Sequence, residues 1–173
     1  MRKRPGRKPV FTRRQVIDAA LAEGIGSFTL RAVAERLGVK ATALYRVFSS
    51  RQELQLAAMN AISRDIEPDP RLRTWQEALR DVVNRYWDMC SRYPEAATVI
   101  LTQPEAFGMA LPRIAAIVER LAELGIPAGT DGAAFALDFV VDMTLETYVS
   151  IQPYLTPDAN GRTGLDRLTQ ILG

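Results

Sequence analysis

The sequence predicts an all-α protein, a three-helix helix-turn-helix head followed by a helical C-terminal domain, with about nine helices in total. Three observations predict it. Apolar residues recur at intervals of three and four along nearly the whole 173-residue chain. Capping residues (Thr12, Thr29, Ser50) and terminating glycines (Gly24, Gly38, Gly125) punctuate that pattern. The one β-branched run, Thr98-Val99-Ile100-Leu101-Thr102, lies between Pro94 and Pro104, has no second strand to pair with, and reads as a short helix.

The elements follow in order. Thr12 with Gln15 forms a capping box, and Val16, Ile17, Ala20 and Leu21 make an apolar face behind it. Gly24-Ile25-Gly26 stops that helix. Thr29 caps a second, short helix with Leu30, Val33, Ala34 and Leu37 inward, and Gly38 ends it because the residue past a helix C-terminus usually takes positive φ. A third helix is expected from about Lys40 to Phe48. Ser50 with Glu53 reads as another capping box, opening a fourth helix through Leu54, Leu56, Ala57, Ala58 and Ile62 to about Ile66. Pro68-Asp69-Pro70 breaks the helical pattern. Trp75, Ala78, Leu79, Val82, Val83, Tyr86, Met89 and Cys90 then repeat at three and four, as do Leu111, Ile114, Ile117, Val118, Leu121 and Leu124. Residues 130–152 are apolar except for one stripe, residues 104–112 read as a Pro/Gly-rich loop, and Leu165, Leu168, Ile171 and Leu172 suggest a last short helix. The expected organisation is a basic arm over residues 1–10, the head over 11–58 and a second domain over 59–173.

Charge separates these parts. The whole chain carries 22 Lys+Arg and 20 Asp+Glu, a formal +2. Residues 1–60 hold 12 basic and 4 acidic side chains, a net of +8, while the remainder nets −6. The first seventeen residues contain seven Lys/Arg and no acid. One end therefore favours a polyanion and the other does not. With no histidine in the chain, Ser-His-Asp and Cys-His catalysis and imidazole metal sites are excluded, and no paired acid–base motif stands in for them. A single cysteine, Cys90, excludes an internal disulfide and a cysteine-cluster zinc site. No metal or cofactor is expected. No stretch approaches eighteen apolar residues, so the expectation is a cytoplasmic chain without membrane contact.

Two short helices joined at Gly38 and preceded by a longer one are the parts of a helix-turn-helix. The third helix must offer small and polar side chains to base edges while its back stays packed. Lys40, Ala41, Thr42 and Ala43 are short or polar, Leu44, Val47 and Phe48 suit the packed side, and Tyr45 and Arg46 stand where a hydroxyl and a guanidinium reach phosphates or bases. The arm residues Arg4, Arg7 and Lys8 suit the backbone or the minor groove.

The run from Phe28 through Thr29, Leu30, Arg31, Gly38, Tyr45, Phe48 and Ser50-Arg51-Gln52-Glu53 to Leu54 resembles the DNA-binding segment of the tetracycline-repressor (TetR) family of bacterial transcriptional regulators. The resemblance spans roughly residues 11–58. Glycine, tyrosine, phenylalanine and the Ser-x-x-Glu cap fall in register, and the departure is Val47, where the family often has histidine. The resemblance implies that Thr29, Tyr45 and Arg51 touch phosphates and that Arg31 reads a base, with Lys40, Ala41, Thr42 and Arg46 as the other reading positions. It implies a homodimeric, ligand-responsive repressor on double-stranded DNA, with residues 59–173 binding a small-molecule effector and a second copy. The absent histidine argues against the tetracycline–magnesium ligand of the family's namesake, a site that relies on histidine.

Tyr86, Trp87, Cys90, Phe107, Met109, Phe139 and Met143 are the candidate pocket residues, and an ordinary helical core explains each of them equally well. Cys90 fits a small buried hydrophobe. Asp138, Asp142 and Glu146 share one helical face, which suits solvent, a cationic ligand or a partner. The surrounding helix is apolar over more than one face and needs two partners, its own core and a second copy. The resemblance implies that the helix over residues 112–124 is the second element of that four-helix seam, and Ile117, Leu121, Val140, Leu145 and Tyr148 are the residues expected in it. Two other readings remain at this level: an architectural DNA-binding protein without an effector, and a small-molecule-binding protein or enzyme with a vestigial head.

Overall fold

The computed structural model describes residues 11–157, Gly161 and Gln170. They form α1 (Arg13–Glu23), α2 (Leu30–Arg36), α3 (Ala41–Leu44), α4 (Arg51–Ile62), α5 (Trp75–Arg92), α6 (Ala96–Thr102), α7 (Pro104–Glu123) and α8 (Gly129–Leu155), with a single 3-10 turn at Ser63–Asp65. No strand occurs among the described residues. The arm residues Arg4, Arg7 and Lys8, and the last helix expected around Leu165 and Ile171, lie outside them. The fold divides into two compact units, Met1–Ile62 and Ser63–Gly173.

The first unit closes around Phe11, Val16, Ala20, Phe28, Val33, Leu44, Phe48 and Leu54, all buried. Its helix ends follow local chemistry. Thr12 and Gln15 form the expected reciprocal box, and the Thr29 hydroxyl accepts from the Ala32 amide at 3.1 Å. Gly38 takes φ +66° between α2 and α3, a conformation costing any residue with a Cβ about 1–2 kcal/mol. The Ser50 hydroxyl accepts from Glu53 N at 3.0 Å, but the Glu53 carboxylate reaches past Ser50 to the amide and hydroxyl of Ser49, each at 2.7 Å.

Two elements differ from expectation. The third helix is one turn, not nine residues. After Leu44 the chain tightens through Arg46 N to Ala43 O and Val47 N to Leu44 O, and Arg13 takes the Val47 carbonyl that a longer helix would have used. The stretch 104–112 is not a loop but the start of α7. Pro104 opens that helix, where a missing N–H costs nothing, and Pro112 is accommodated inside it.

In the second unit α8 packs against α5, α6 and α7. Its inward residues are Ala133, Leu137, Thr144, Leu145 and Tyr148. Thr74 and Glu77 cap α5 with a second reciprocal box, which the sequence reading did not single out. Before α8 the chain turns through Ala128 at φ 62°, and a Cβ on Gly132 would collide with the Pro127 carbonyl oxygen. Gly132→Ala is therefore expected to destabilise the second unit by about 1–3 kcal/mol, as overpacking does. Urea unfolding checks it, and an unchanged midpoint would show that the turn yields freely.

Candidate nucleic-acid interface

The surface of α2 and α3 is set by what their other sides bury. Leu44, fully buried, fixes α3, and Ala41, three residues earlier, shares its face and packs against the same core. Ala41 was expected among the reading positions. The structure leaves it half-buried, on the face it shares with Leu44 and not on the side where the exposed residues lie. Lys40, Thr42, Tyr45 and Arg46 occupy that side and are exposed, Tyr45 at 57%. On α2, Arg31 stands out at 85% exposure with its Nε 2.8 Å from Glu35, whose hydrogen bond and charge raise the guanidinium pKa further. Thr29 is exposed at the N-cap.

The electrostatics of this unit sharpen the pattern. Its four acids each pair with an arginine: Asp18 with Arg14, Glu23 with Arg36, Glu35 with Arg31 and Glu53 with Arg13. Such exposed pairs add little stability, but they consume all the unit's negative charge. No acid among the described residues of the unit is left for Lys40, Arg46 or Arg51, so these three carry its uncompensated charge there, alongside the five Lys/Arg of residues 1–10.

Two further arginines serve the frame. Arg13 lies 3.9 Å over the Phe48 ring, bonds the Val47 carbonyl and pairs with Glu53. Arg51 was expected on phosphate. Instead its Nε donates to the Phe28 carbonyl at 2.8 Å and its Nη2 to the Gly26 carbonyl at 2.6 Å, with the guanidinium 4.7 Å over the Phe28 ring. Sequence spacing gives no sign of this, since the acceptors lie more than twenty residues away.

In the second unit most of the expected seam residues are buried and several of the expected pocket residues are exposed. Ile117, Leu121, Leu145 and Tyr148, expected between copies, are buried within this chain, and Val140 is half-buried. The four buried residues belong to its own core and are not available to a partner. Phe139 (56% exposed) and Met143 (47%), expected to line a pocket, lie outward with Phe135 (73%), whose ring stacks on Phe139. Met109 is exposed as well. Phe107 lies in α7, and its side chain is outside the described set. Trp87 meets Tyr148 edge-on at 5.3 Å, Tyr86 is half-buried, and Cys90 is fully buried, its thiol pushed up to about 11 by burial. The sequence reading missed Arg113, only 17% exposed on α7, whose Nη1 donates to Ser63 Oγ at 3.0 Å and whose nearest acid, Glu67, is 4.0 Å away. Asp138, Asp142 and Glu146 are all exposed, and partial burial and their mutual repulsion raise the Asp142 pKa. Among the described residues no group of three or more Cys, Asp or Glu is arranged to hold a metal ion. None of their helices is long and apolar enough to cross a membrane.

Residues 17–58 match the family model of the bacterial regulatory proteins, tetR family. The chain is also similar to solved structures. Mycobacterium smegmatis BioQ shares 25% identity at a TM-score of 0.70, over 94% of this chain and 92% of that one. BioQ with its double-stranded DNA operator gives 25% and 0.66, over 82% and 88%. The Q116A variant of TetR from Acinetobacter baumannii AYE, in complex with minocycline, gives 25% and 0.64, over 82% of each chain. No curated relative matches the chain.

The Ser49 amide and hydroxyl, with Arg13 beside them, hold the Glu53 pKa at about 2, below its ordinary 4.5. A carboxylate lowered in the folded state stabilises above its unfolded pKa and loses that contribution as pH falls through the folded value. Wild-type stability is expected to fall between about pH 5 and pH 2 with one more proton of linkage than Glu53→Gln shows. Denaturant unfolding across that range checks it, and parallel slopes would refute it.

Proposed function

We propose, because residues 17–58 match the family model of the bacterial regulatory proteins, tetR family, that the chain is a member of that family and a sequence-specific, DNA-binding transcriptional regulator, a dimeric repressor released from its operator by a small-molecule effector. The observation that carries the reading is the α2–α3 surface, where Arg31, Lys40, Thr42, Tyr45 and Arg46 are exposed over a buried core and no acid of the unit pairs with Lys40 or Arg46. Arg31, Lys40 and Arg46 supply hydrogen-bond discrimination, since arginine and lysine on guanine are the commonest specific contacts. Thr42 offers its methyl to thymine. Thr29 and Tyr45 suit phosphate, and Arg4, Arg7 and Lys8 extend the contact along the backbone or into the minor groove.

A two-fold dimer then reads a palindrome with half-sites about one turn, ~34 Å, or a multiple of that apart. Phe135, Phe139 and Met143 recur every four residues on α8 as an exposed apolar strip, which supports this strip as the seam between copies. Residues 11–58 serve as the DNA-binding domain and 59–173 as the effector and dimerisation domain. Tyr86 and Trp87 on α5 are the remaining candidates for effector contact. An effector regulates only through differential affinity for the state whose heads no longer fit the operator. Regulators of this family are generally not enzymes, and we read this one, acting in the cytoplasm, in the same way.

Selection of bound DNA from a random pool tests the reading directly. One palindrome recovered above background supports it, whereas tight, salt-sensitive binding with no preferred site would make the protein an architectural DNA binder. Against the recovered site, Arg31→Ala is expected to relax preference at one base step by about 1–3 kcal/mol, measured by competition with substituted operators. An even loss over all sequences would make Arg31 a phosphate contact. Phe139→Asp is expected to yield a folded monomer in analytical ultracentrifugation, and a dimer that survives it would move the seam elsewhere.

A further inference from the structure

Three carbonyls of the α1–α2 turn are held by side chains of α4. Arg51, the first residue of α4, bonds the Phe28 carbonyl through Nε and the Gly26 carbonyl through Nη2, at 2.8 and 2.6 Å. Gln55, one turn later and buried, donates to the Ile25 carbonyl at 2.9 Å and receives a longer contact of 3.5 Å from Arg51 Nη1. The same guanidinium covers the ring of Phe28, which is itself core. Thr29 follows directly as the N-cap of α2, and α2 carries Arg31. Arg51 therefore grips the backbone from which α2, and with it the Arg31 Cα, begins.

We infer that Arg51 is a positioning residue for base reading: it acts on DNA through the Gly26 and Phe28 carbonyls and the start of α2, and not by touching phosphate. The inference rests on the DNA-reading role proposed above. The chemistry requires arginine, because a planar fork can hold two carbonyls while its face covers a ring. Lysine keeps the charge but has neither the fork nor the flat face.

The test compares full-length wild type, Arg51→Lys and Arg51→Met on the selected operator and on operators substituted at the step marked by Arg31→Ala, across a range of salt. Hydrogen exchange of the Ser27 and Phe28 amides, which bond the Gly24 carbonyl, is followed without DNA. Arg51→Lys is expected to lose about tenfold discrimination at the Arg31 step, to keep the salt slope of wild type, and to exchange faster in the turn. In an Arg31→Ala background it should cause no further loss at that step. A phosphate contact would behave differently: Arg51→Lys would keep affinity and discrimination, and Arg51→Met would lower the salt slope by about one. That result overturns the inference. So does lower stability with discrimination unchanged, which would leave Arg51 a structural clamp alone. If wild type selects no operator, the proposed function has failed, and the exchange comparison still decides whether Arg51 holds the turn.

Discussion

The reading head depends on burying two phenylalanines, Phe28 and Phe48, in a unit small enough to have little other core. A chain of about 60 residues buries only about 60% of the surface its unfolded form exposes. Both rings are nearly inaccessible, and each is roofed by an arginine from another helix, Phe48 by Arg13 of α1 and Phe28 by Arg51 of α4. Each roof also bonds a carbonyl of the turn that carries the ring. The two arginines thereby tie non-adjacent helices together across the turns between them. Without such anchors α3 would not exist, because four residues in isolation fall far below the length at which a helix is stable in water.

That frame explains how a cationic head avoids wasting its charge. Net charge alone places a polyanion near the first sixty residues but names no surface. The ion pairs do so: each acid lies beside an arginine of α1 or α2, and among the described residues of the unit the uncompensated cations are Lys40 and Arg46 beside α3 and Arg51 in the frame. Glu35 beside Arg31 has a different effect. It neutralises the side chain at long range while leaving it 85% exposed, so Arg31 attracts DNA in general less than Lys40 does. For the base contact proposed at Arg31, that balance favours discrimination over affinity.

The head was legible in the sequence wherever the signal was local. Thr12 with Gln15, Thr29 and Gly38 each satisfy a backbone requirement within a few residues, and each stands where its spacing places it. The failures involve distance. Arg51 belongs to a motif suited to phosphate, and only the fold brings it to carbonyls at Gly26 and Phe28. Ala41 is small enough for either side of a helix, so its direction was decided by Leu44. Pro104 and Pro112 punctuate a loop as readily as they sit in a helix, and the apolar residues beyond them settle the matter by packing.

On α8 the difficulty is physical and not merely one of range. A helix apolar on two faces carries no mark of which face its own chain will cover. Packing against α5, α6 and α7 selects the side with Leu137, Leu145 and Tyr148, and thereby expels Phe135, Phe139 and Met143. The acids decide what can cover the expelled strip. Asp138 and Asp142 each precede one of its residues in sequence, and the Asp142 pKa is already raised by partial burial and by its neighbours' charge. A phosphate backbone laid along that edge would add repulsion to every contact, and burying the carboxylates in lipid would cost more still. A protein surface that covers the rings while leaving the acids wet meets both conditions. A second copy related by a two-fold axis does so at once, because the strip then packs against itself with the acidic edges outside. Charge therefore sets the cationic surface around α3 apart from the acid-edged strip of α8, and it favours protein over DNA at the seam proposed there.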